Sequence, residues 1–333
     1  MTKKQTVLVT GGGGYVGSAL IPKLLEQGHH VKVYDLFIYG EQVLDGVKGN
    51  PKLELIRGDI RHSILMRESL KGCDTVIHLA CISNDPSFEL NPELGKTINL
   101  DAFRPLVEAS IQNDISRFIY ASSSSVYGIK DVDNVTEEMA LEPLTDYSKF
   151  KAQCEDILAE YQSPDFTTVT LRPATVCGYS PRQRLDVIVN ILTNHAYHTG
   201  QIKVFGGTQK RPNIHIQDMV NAYLLLLDLP KEKIAGDIFN VGFENYTVQK
   251  LAEIVQSEVT SRHVELVHVP TDDNRSYHIS SQKIKDVLGF ETQHSIQEAV
   301  ADLIKAFDDK RLVDTFSNSN YFNIKRMQEI DLK

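Results

Sequence analysis

Thr6-Val7-Leu8-Val9-Thr10-Gly11-Gly12-Gly13-Gly14-Tyr15-Val16-Gly17 is a short β-branched run that ends in glycines and passes directly into a helical pattern over residues 15–27. A strand, a glycine turn and a helix start in that order form the setting in which a Gly-rich spacing holds a dinucleotide. Gly11 permits the tight turn, Gly14 lets the backbone approach a pyrophosphate at the positive helix end, and Gly17 allows close helix–strand packing. Tyr15 and Val16, inside the turn, are expected cofactor neighbours as well. The next strand-like run ends in Asp35, eighteen residues after Gly17. A carboxylate there accepts hydrogen bonds from an adenosine ribose and repels a 2′-phosphate. No arginine stands in Asp35-Leu36-Phe37-Ile38-Tyr39, so NAD is expected in preference to NADP.

Outward from this turn, β-branched runs alternate with helical patterns. Strands are expected at residues 6–10, 31–35, 53–57, 75–79, 117–121 and 167–171, and helices at 15–27, 64–70, 92–112 and 146–161. The alternation predicts an α/β fold, a Rossmann-type doubly wound parallel sheet. Residues 1–177 are expected to form the NAD-binding domain carrying the catalytic residues. Residues 178–308, with scattered helices and short strands, are expected to form a smaller C-terminal substrate-binding lobe, with possible strand or helix returns to the first domain. Residues 309–333 are polar, and no fold is assigned to them.

The chain has 333 residues, 41% of them hydrophobic, which is enough for a large core. Its 44 acidic against 35 basic side chains disfavour nucleic acid and anionic membranes as partners. No apolar stretch approaches the roughly 20 residues of a membrane span, and the first strand leaves no room for a signal peptide, so a cytoplasmic location is expected. Cys73, Cys81, Cys154 and Cys177 fall singly and are expected to fill the core. No metal site is expected: His195 and His198 lie three apart on a helix but have no accompanying ligand motif.

Tyr147-Ser148-Lys149-Phe150-Lys151 places a phenol and an ammonium four apart, on one helix face. A phenol titrates near 10, so it becomes a useful base only where cations favour the phenolate. The run Ala121-Ser122-Ser123-Ser124-Ser125-Val126-Tyr127-Gly128 follows the fifth strand at the sheet edge where ligands gather. By contrast, Gly95-Lys96-Thr97 looks like the end of a phosphate loop, but Leu90 stands where that loop needs glycine.

On these residues the chain resembles the extended short-chain dehydrogenase/reductases, in the NAD-dependent group of sugar-nucleotide epimerases and dehydratases. Further markers are Gly58-Asp59-Ile60-Arg61, His78-Leu79-Ala80, Asn99, Leu171-Arg172-Pro173, Arg211-Pro212-Asn213-Ile214-His215, Asn240-Val241-Gly242 and Arg275. The resemblance implies that Ser123 hydrogen-bonds the substrate oxygen and that Tyr147 takes its proton while hydride leaves the same carbon for NAD. Lys151 would hold the ribose and lower the phenol pKa. It also implies that Asp59 and Ile60 meet the adenine and that Leu79, Ala80 and Asn99 line the cofactor channel. The 4,6-dehydratases of the family carry Asp-Glu after the catalytic hydroxyl, whereas this chain has Ser124 and Ser125, which disfavours that activity.

The same resemblance places Arg211 and Arg275 on the nucleotide diphosphate, a task suited to a planar fork of donors. Asn190 is a further nucleotide contact, with Arg182 and Arg184 weaker candidates; Ser83, Asn84, Ser124 and Thr175 are candidates for the sugar. The segment from Ser180 to Asn190 is also similar to a branch that includes GDP-heptose C4 dehydrogenases. The expected activity is therefore C4 oxidation of a nucleotide-linked sugar, chiefly as a 4-epimerase, with net dehydrogenation, dehydration and a non-catalytic NAD-binding regulator as alternatives. A homodimer through helices 92–112 and 146–161 is expected, with Ile98, Ala102, Leu106 and Ala109 as a packing stripe that could equally face the chain's own sheet.

Overall fold

The computed structural model describes residues 4–83, 85–130, 132, 134–271, 276 and 278–333. Its strands are β1 Thr6–Thr10, β2 His30–Asp35, β3 Leu53–Arg57, β4 Thr75–His78, β5 Arg117–Ala121, β6 Thr167–Pro173, β7 Thr175–Cys177, β8 Gln201–Phe205, β9 Lys210–His215, β10 Asp237–Val241, β11 Glu244–Thr247 and β12 Glu265–Val269. Seven of them form one parallel sheet in the order β10-β6-β5-β4-β1-β2-β3. The chain starts at β1, winds outward to β3, then returns to lay β4 on the other side of β1. That reversal opens a crevice at the carboxyl ends of β1 and β4, the place where such sheets bind ligands. Val7, Leu8 and Val9 are fully buried, because a central parallel strand is covered on both faces.

The six strands expected from the sequence match β1 to β6 to within two residues. The seventh, β10, comes from beyond residue 178 and pairs in parallel with β6, Asp237 opposite Val169 and Val241 opposite Pro173. Residues beyond 178 thus add a strand to the main sheet. The remaining sheets are small, β11-β9-β7 and β12-β8, with β7 at Thr175–Cys177 coming from before residue 178, and they are packed by helices Ile188–Thr199, Val248–Glu258 and Ile296–Asp308.

Two expectations need correction. The helix expected over 92–112 is split into Pro92–Lys96, a π-helical turn Thr97–Asp101, and Phe103–Gln112. The Ala102 N–H reaches back five residues to the Thr97 carbonyl at 3.2 Å, and such an inserted turn is invisible to a 3.6-residue period. Ile98, Ala102, Leu106 and Ala109 are all buried in the chain's own core, so that stripe faces the sheet. Residues 309–333, left without a fold above, form a 3₁₀ turn Ser319–Tyr321 and a helix Asn323–Glu329, with Met327 buried against first-lobe side chains. Among the described residues no helix is long and apolar enough to cross a membrane.

Candidate active site

A cavity of about 530 Å³ lies over the carboxyl ends of β1, β4 and β5. The glycine turn forms its floor. Gly11 has φ +74°, and a Cβ there would stand 2.6 Å from the Ala80 nitrogen. At Gly17 a Cβ would meet the Gly12 Cα at 2.5 Å, so only glycine lets this helix lie so close to the turn. Gly14 begins helix Tyr15–Glu26 without a side-chain cap, which leaves the amides of its first turn directed at the cavity. This backbone cradle fits a dinucleotide pyrophosphate.

Asp35 ends β2 with both carboxylate oxygens engaged: Oδ2 accepts from the Gly13 N–H at 2.9 Å and Oδ1 from the Phe37 N–H at 2.6 Å. Phe37 adopts φ +50° to present that donor. Burial raises the Asp35 carboxyl above the ordinary aspartate range, and the two N–H donors work against the rise. Val16, Asp59, Ile60, Leu79 and Ala80 line the same cavity. Tyr15 lines it too, but its hydroxyl donates to the Gly178 carbonyl at 2.6 Å and so ties the turn to the second lobe.

The helix Asp146–Ala159 starts at a reciprocal cap between Thr145 and Ser148, which sets Tyr147 in its first turn and Lys151 one turn on. Both line the cavity, as do Ser123 and Ser124 from the turn after β5. The Ser123 hydroxyl accepts from the Ser125 N–H at 3.2 Å and so caps the short turn Ser124–Tyr127. Lys151 Nζ donates to the Ala121 carbonyl at 2.7 Å and lies 5.9 Å from the centre of the Tyr147 ring. Burial pushes the Tyr147 phenol well above its ordinary pKa, and the nearby Cys81 and Asp85 act the same way. The Arg184 charge and the Ser123 hydroxyl oppose this rise, while Lys151 Nζ is engaged by the Ala121 carbonyl.

Of the residues expected on the substrate side, Ser83, Thr175 and Arg211 line the cavity, and Asn84 and Arg275 lie outside the described residues. Two expected contacts stand behind the wall. Asn99, in the π-helical turn, accepts from the Ile82 N–H at 2.8 Å and donates to the Ile82 carbonyl at 2.9 Å, clamping the loop after β4. Asn190 is fully buried; its amide donates to the Tyr15 hydroxyl at 3.0 Å and to the Arg184 carbonyl at 2.8 Å. Cys73, Cys154 and Cys177 are buried as expected, whereas Cys81 is partly exposed on the cavity wall.

Sequence reasoning missed Tyr39, Asp186, Tyr223, Asn323, Met327 and Leu332, all on the cavity wall. It underweighted Arg182 and Arg184, which the family resemblance of their segment offered only as weaker candidates for the nucleotide. Arg184 donates from Nε to Asp186 at 2.8 Å, and Arg182 stacks on the Tyr39 ring with its carbon 3.6 Å from the ring centre. Among the described residues, Arg182 Nε and Arg184 Nη2 are buried without a hydrogen-bond partner.

Residues 7–242 match the model of the NAD dependent epimerase/dehydratase family, and the chain belongs to that family of enzymes, with NAD as its cofactor. It is 32% identical over 254 residues to the uncharacterized protein y4nG of Sinorhizobium fredii; that match covers 75% of this chain and 60% of the other. It is 28% identical to UDP-glucose 4-epimerase of Lactobacillus helveticus, covering 90% of this chain and 94% of that one. UDP-glucuronic acid decarboxylase 1 of Arabidopsis thaliana is 28% identical over 93% of this chain and 71% of its own length. Among solved structures, UDP-glucose 4-epimerase of Thermotoga maritima with UDP-glucose superposes with a TM-score of 0.81 at 25% identity, covering 92% of this chain and all of that one.

Proposed function

We propose that this chain is a nucleotide-sugar 4-epimerase that oxidises C4 of the bound sugar and reduces it again on the opposite face. The observation that carries the reading is the convergence of Ser123, Tyr147 and Lys151, from two separate elements, on the cavity that the glycine turn floors. Bound NAD supplies the hydride acceptor for the first half of the cycle and the donor for the second. The Tyr147 phenolate takes the C4 hydroxyl proton and later returns it, and the Ser123 hydroxyl holds the same oxygen in place. Ser124 and Ser125 provide no carboxyl acid or base for eliminating water, which favours epimerisation over 4,6-dehydration. Gly11, Gly14, Tyr15, Val16, Gly17, Asp35, Asp59, Ile60, Leu79, Ala80 and Lys151 would hold the cofactor, with Asn99 supporting the wall. Ser83, Asn84, Ser124 and Thr175 would meet the sugar, and Arg211 and Arg275 the diphosphate, with Asn190 supporting the wall through Tyr15 and Arg184.

Proton NMR of the enzyme with NAD and a panel of UDP-, GDP-, CDP- and dTDP-sugars tests this. A new epimer without accumulating NADH is the expected result; a keto sugar with stoichiometric NADH would replace the reading with net dehydrogenation. A homodimer remains part of the proposal. With Ile98, Ala102, Leu106 and Ala109 inside the core, it would use the outer helix face of Arg104, Glu108 and Ile111, and sedimentation as a monomer at micromolar concentration would remove it.

A further inference from the structure

The last residues of the chain bridge loops that lie far away in sequence. Asn323, 3% exposed, accepts at Oδ1 from the Tyr39 hydroxyl at 2.8 Å and from Arg182, and donates from Nδ2 to the Ser83 hydroxyl at 2.8 Å. Its backbone N–H donates to Asp186 at 2.8 Å. One residue thus joins the loop after β2, the loop after β4 and the 182–186 segment, three parts of the cavity wall. Arg326 donates to the Ile38 carbonyl, and Arg61 donates to the Lys333 carbonyl at 2.9 Å. Met327 and Leu332 face the cavity beside Ile60, at the end where Asp35 and Asp59 stand.

The segment has a fixed end and a lightly held end. Leu312 is buried with Leu185, Leu303 and Phe307 in the second lobe. Phe316 packs on His195 and His198, Tyr321 and Phe322 pack on the same cluster, and the Leu185 N–H donates to the Tyr321 carbonyl at 2.9 Å, so the fixed end runs to Phe322. Beyond Phe322, the crossing part is held mainly by the hydrogen bonds of Asn323, Arg326 and Lys333 and by Met327 and Leu332, which is a small attachment next to the main core. The same latch positions a cation: Arg182 is 3% exposed, stacked on Tyr39 and held by Asn323, and its Nε has no partner among the described residues.

We propose that residues 323–333 are a strap that closes the adenosine half of the cofactor cavity, with Asn323 as its latch, so that NAD is exchanged only when the strap lifts. Closure sets Arg182 against the bound cofactor; lifting frees Arg182, Tyr39 and Ser83 together. This rests on NAD binding, which family membership supplies, and not on the epimerase reading. If that reading holds, slow exchange is what keeps the reduced cofactor in place between the two half-reactions.

The full-length enzyme is loaded with NADH and mixed with a large excess of NAD, and loss of bound-NADH fluorescence gives the release rate without any sugar present. Asn323→Ala and Arg326→Ala are each expected to speed release at least tenfold, and amide hydrogen exchange across Asn323–Glu329 is expected to slow when NAD is bound. Arg326→Ala alters a side chain that does not line the cavity, so it separates latch release from loss of a wall contact. Release rates equal to wild type in both variants, or strap amides indifferent to NAD, would overturn the proposal. Failure to turn over any nucleotide sugar would leave it standing.

Discussion

Arg172 grips Glu155 from two nitrogens, Nη2 to Oε2 at 2.6 Å and Nε to both oxygens at 3.1 Å, and each side chain is 4% exposed. Glu155 lies one turn after Lys151 on the helix Asp146–Ala159 and also accepts from the Ser122 hydroxyl, next to Ser123. Arg172 in turn donates to the Tyr127 hydroxyl at 2.7 Å, which donates to Asn240 on β10 at 2.7 Å. The pair therefore joins the helix, the serine turn and the last two strands of the sheet beneath the cavity. Removing one partner leaves the other charge buried and alone, so Arg172→Met or Glu155→Gln should cost about 3–5 kcal/mol, whereas replacing both should recover much of that loss. Urea unfolding of the two single variants and the double variant measures this; additive losses would count against a coupled pair.

Gly17 and Gly14 should respond differently to alanine. At Gly17 the new Cβ meets backbone on every side, the nearest atoms being Gly12 Cα at 2.5 Å and the Gly11 carbonyl oxygen at 2.6 Å. At Gly14 it meets only the Gly11 carbonyl oxygen, at 3.1 Å. Gly17→Ala is expected to lower the unfolding temperature by several degrees and abolish NAD binding. Gly14→Ala is expected to fold nearly as well as wild type while NAD affinity falls about tenfold or more, because its methyl group intrudes on the pyrophosphate position. Thermal unfolding without cofactor, followed by NAD titration, separates the two effects.

How much of this was legible in the sequence depended on the range of the interactions. Strands β1 to β6 show themselves through local β-branched runs, the glycine turn through its spacing, and Tyr147 with Lys151 through their four-residue separation, whereas Ser123 could be singled out from the serine run only through the family resemblance. The π-helical turn at Thr97–Asp101 left no periodic trace, which hid the clamp that Asn99 places on Ile82. Asn323 and Arg326 were missed for a different reason. Their partners Tyr39, Arg182 and Ile38 lie more than 140 residues away in sequence, and the polar composition of their segment reads as a solvated tail. Arg182 and Arg184 show the same limit, since only the fold brings Arg184 to the Tyr147 phenol.

Burial disfavours the Tyr147 phenolate and the Arg184 charge favours it, so activity should climb as pH rises and the base loses its proton. Arg184→Gln removes the favouring charge and should move the climb to higher pH, with the largest loss of rate near neutrality and partial recovery in alkaline buffer. Tyr147→Phe should lower turnover by about 10²- to 10⁴-fold at every pH while NAD still binds. The pH profile of kcat/KM for each variant is the measurement, and a profile for Arg184→Gln that keeps its wild-type midpoint would show that the guanidinium does not act on the base.

His78 is buried at the end of β4 with its Nδ1 2.7 Å from the Thr10 hydroxyl oxygen and its ring stacked on Tyr120. Burial, assisted by the Lys151 charge, lowers its pKa to about 3, whereas an unfolded histidine titrates near 6.5. Between those values the unfolded chain binds a proton that the folded chain refuses. The stabilisation from a neutral His78 is therefore complete above about pH 6.5 and is lost progressively as pH falls toward 3, at up to about 1.4 kcal/mol per pH unit. His78→Asn keeps a polar partner for Thr10 but cannot titrate, so its stability should fall less steeply than wild type between pH 6.5 and 4.5, whatever its absolute value at pH 7. Parallel urea-unfolding curves at several pH values give both slopes. Equal slopes would mean that His78 takes up its proton in the folded protein, and that the strand end at the cavity opens to water more readily than its burial implies.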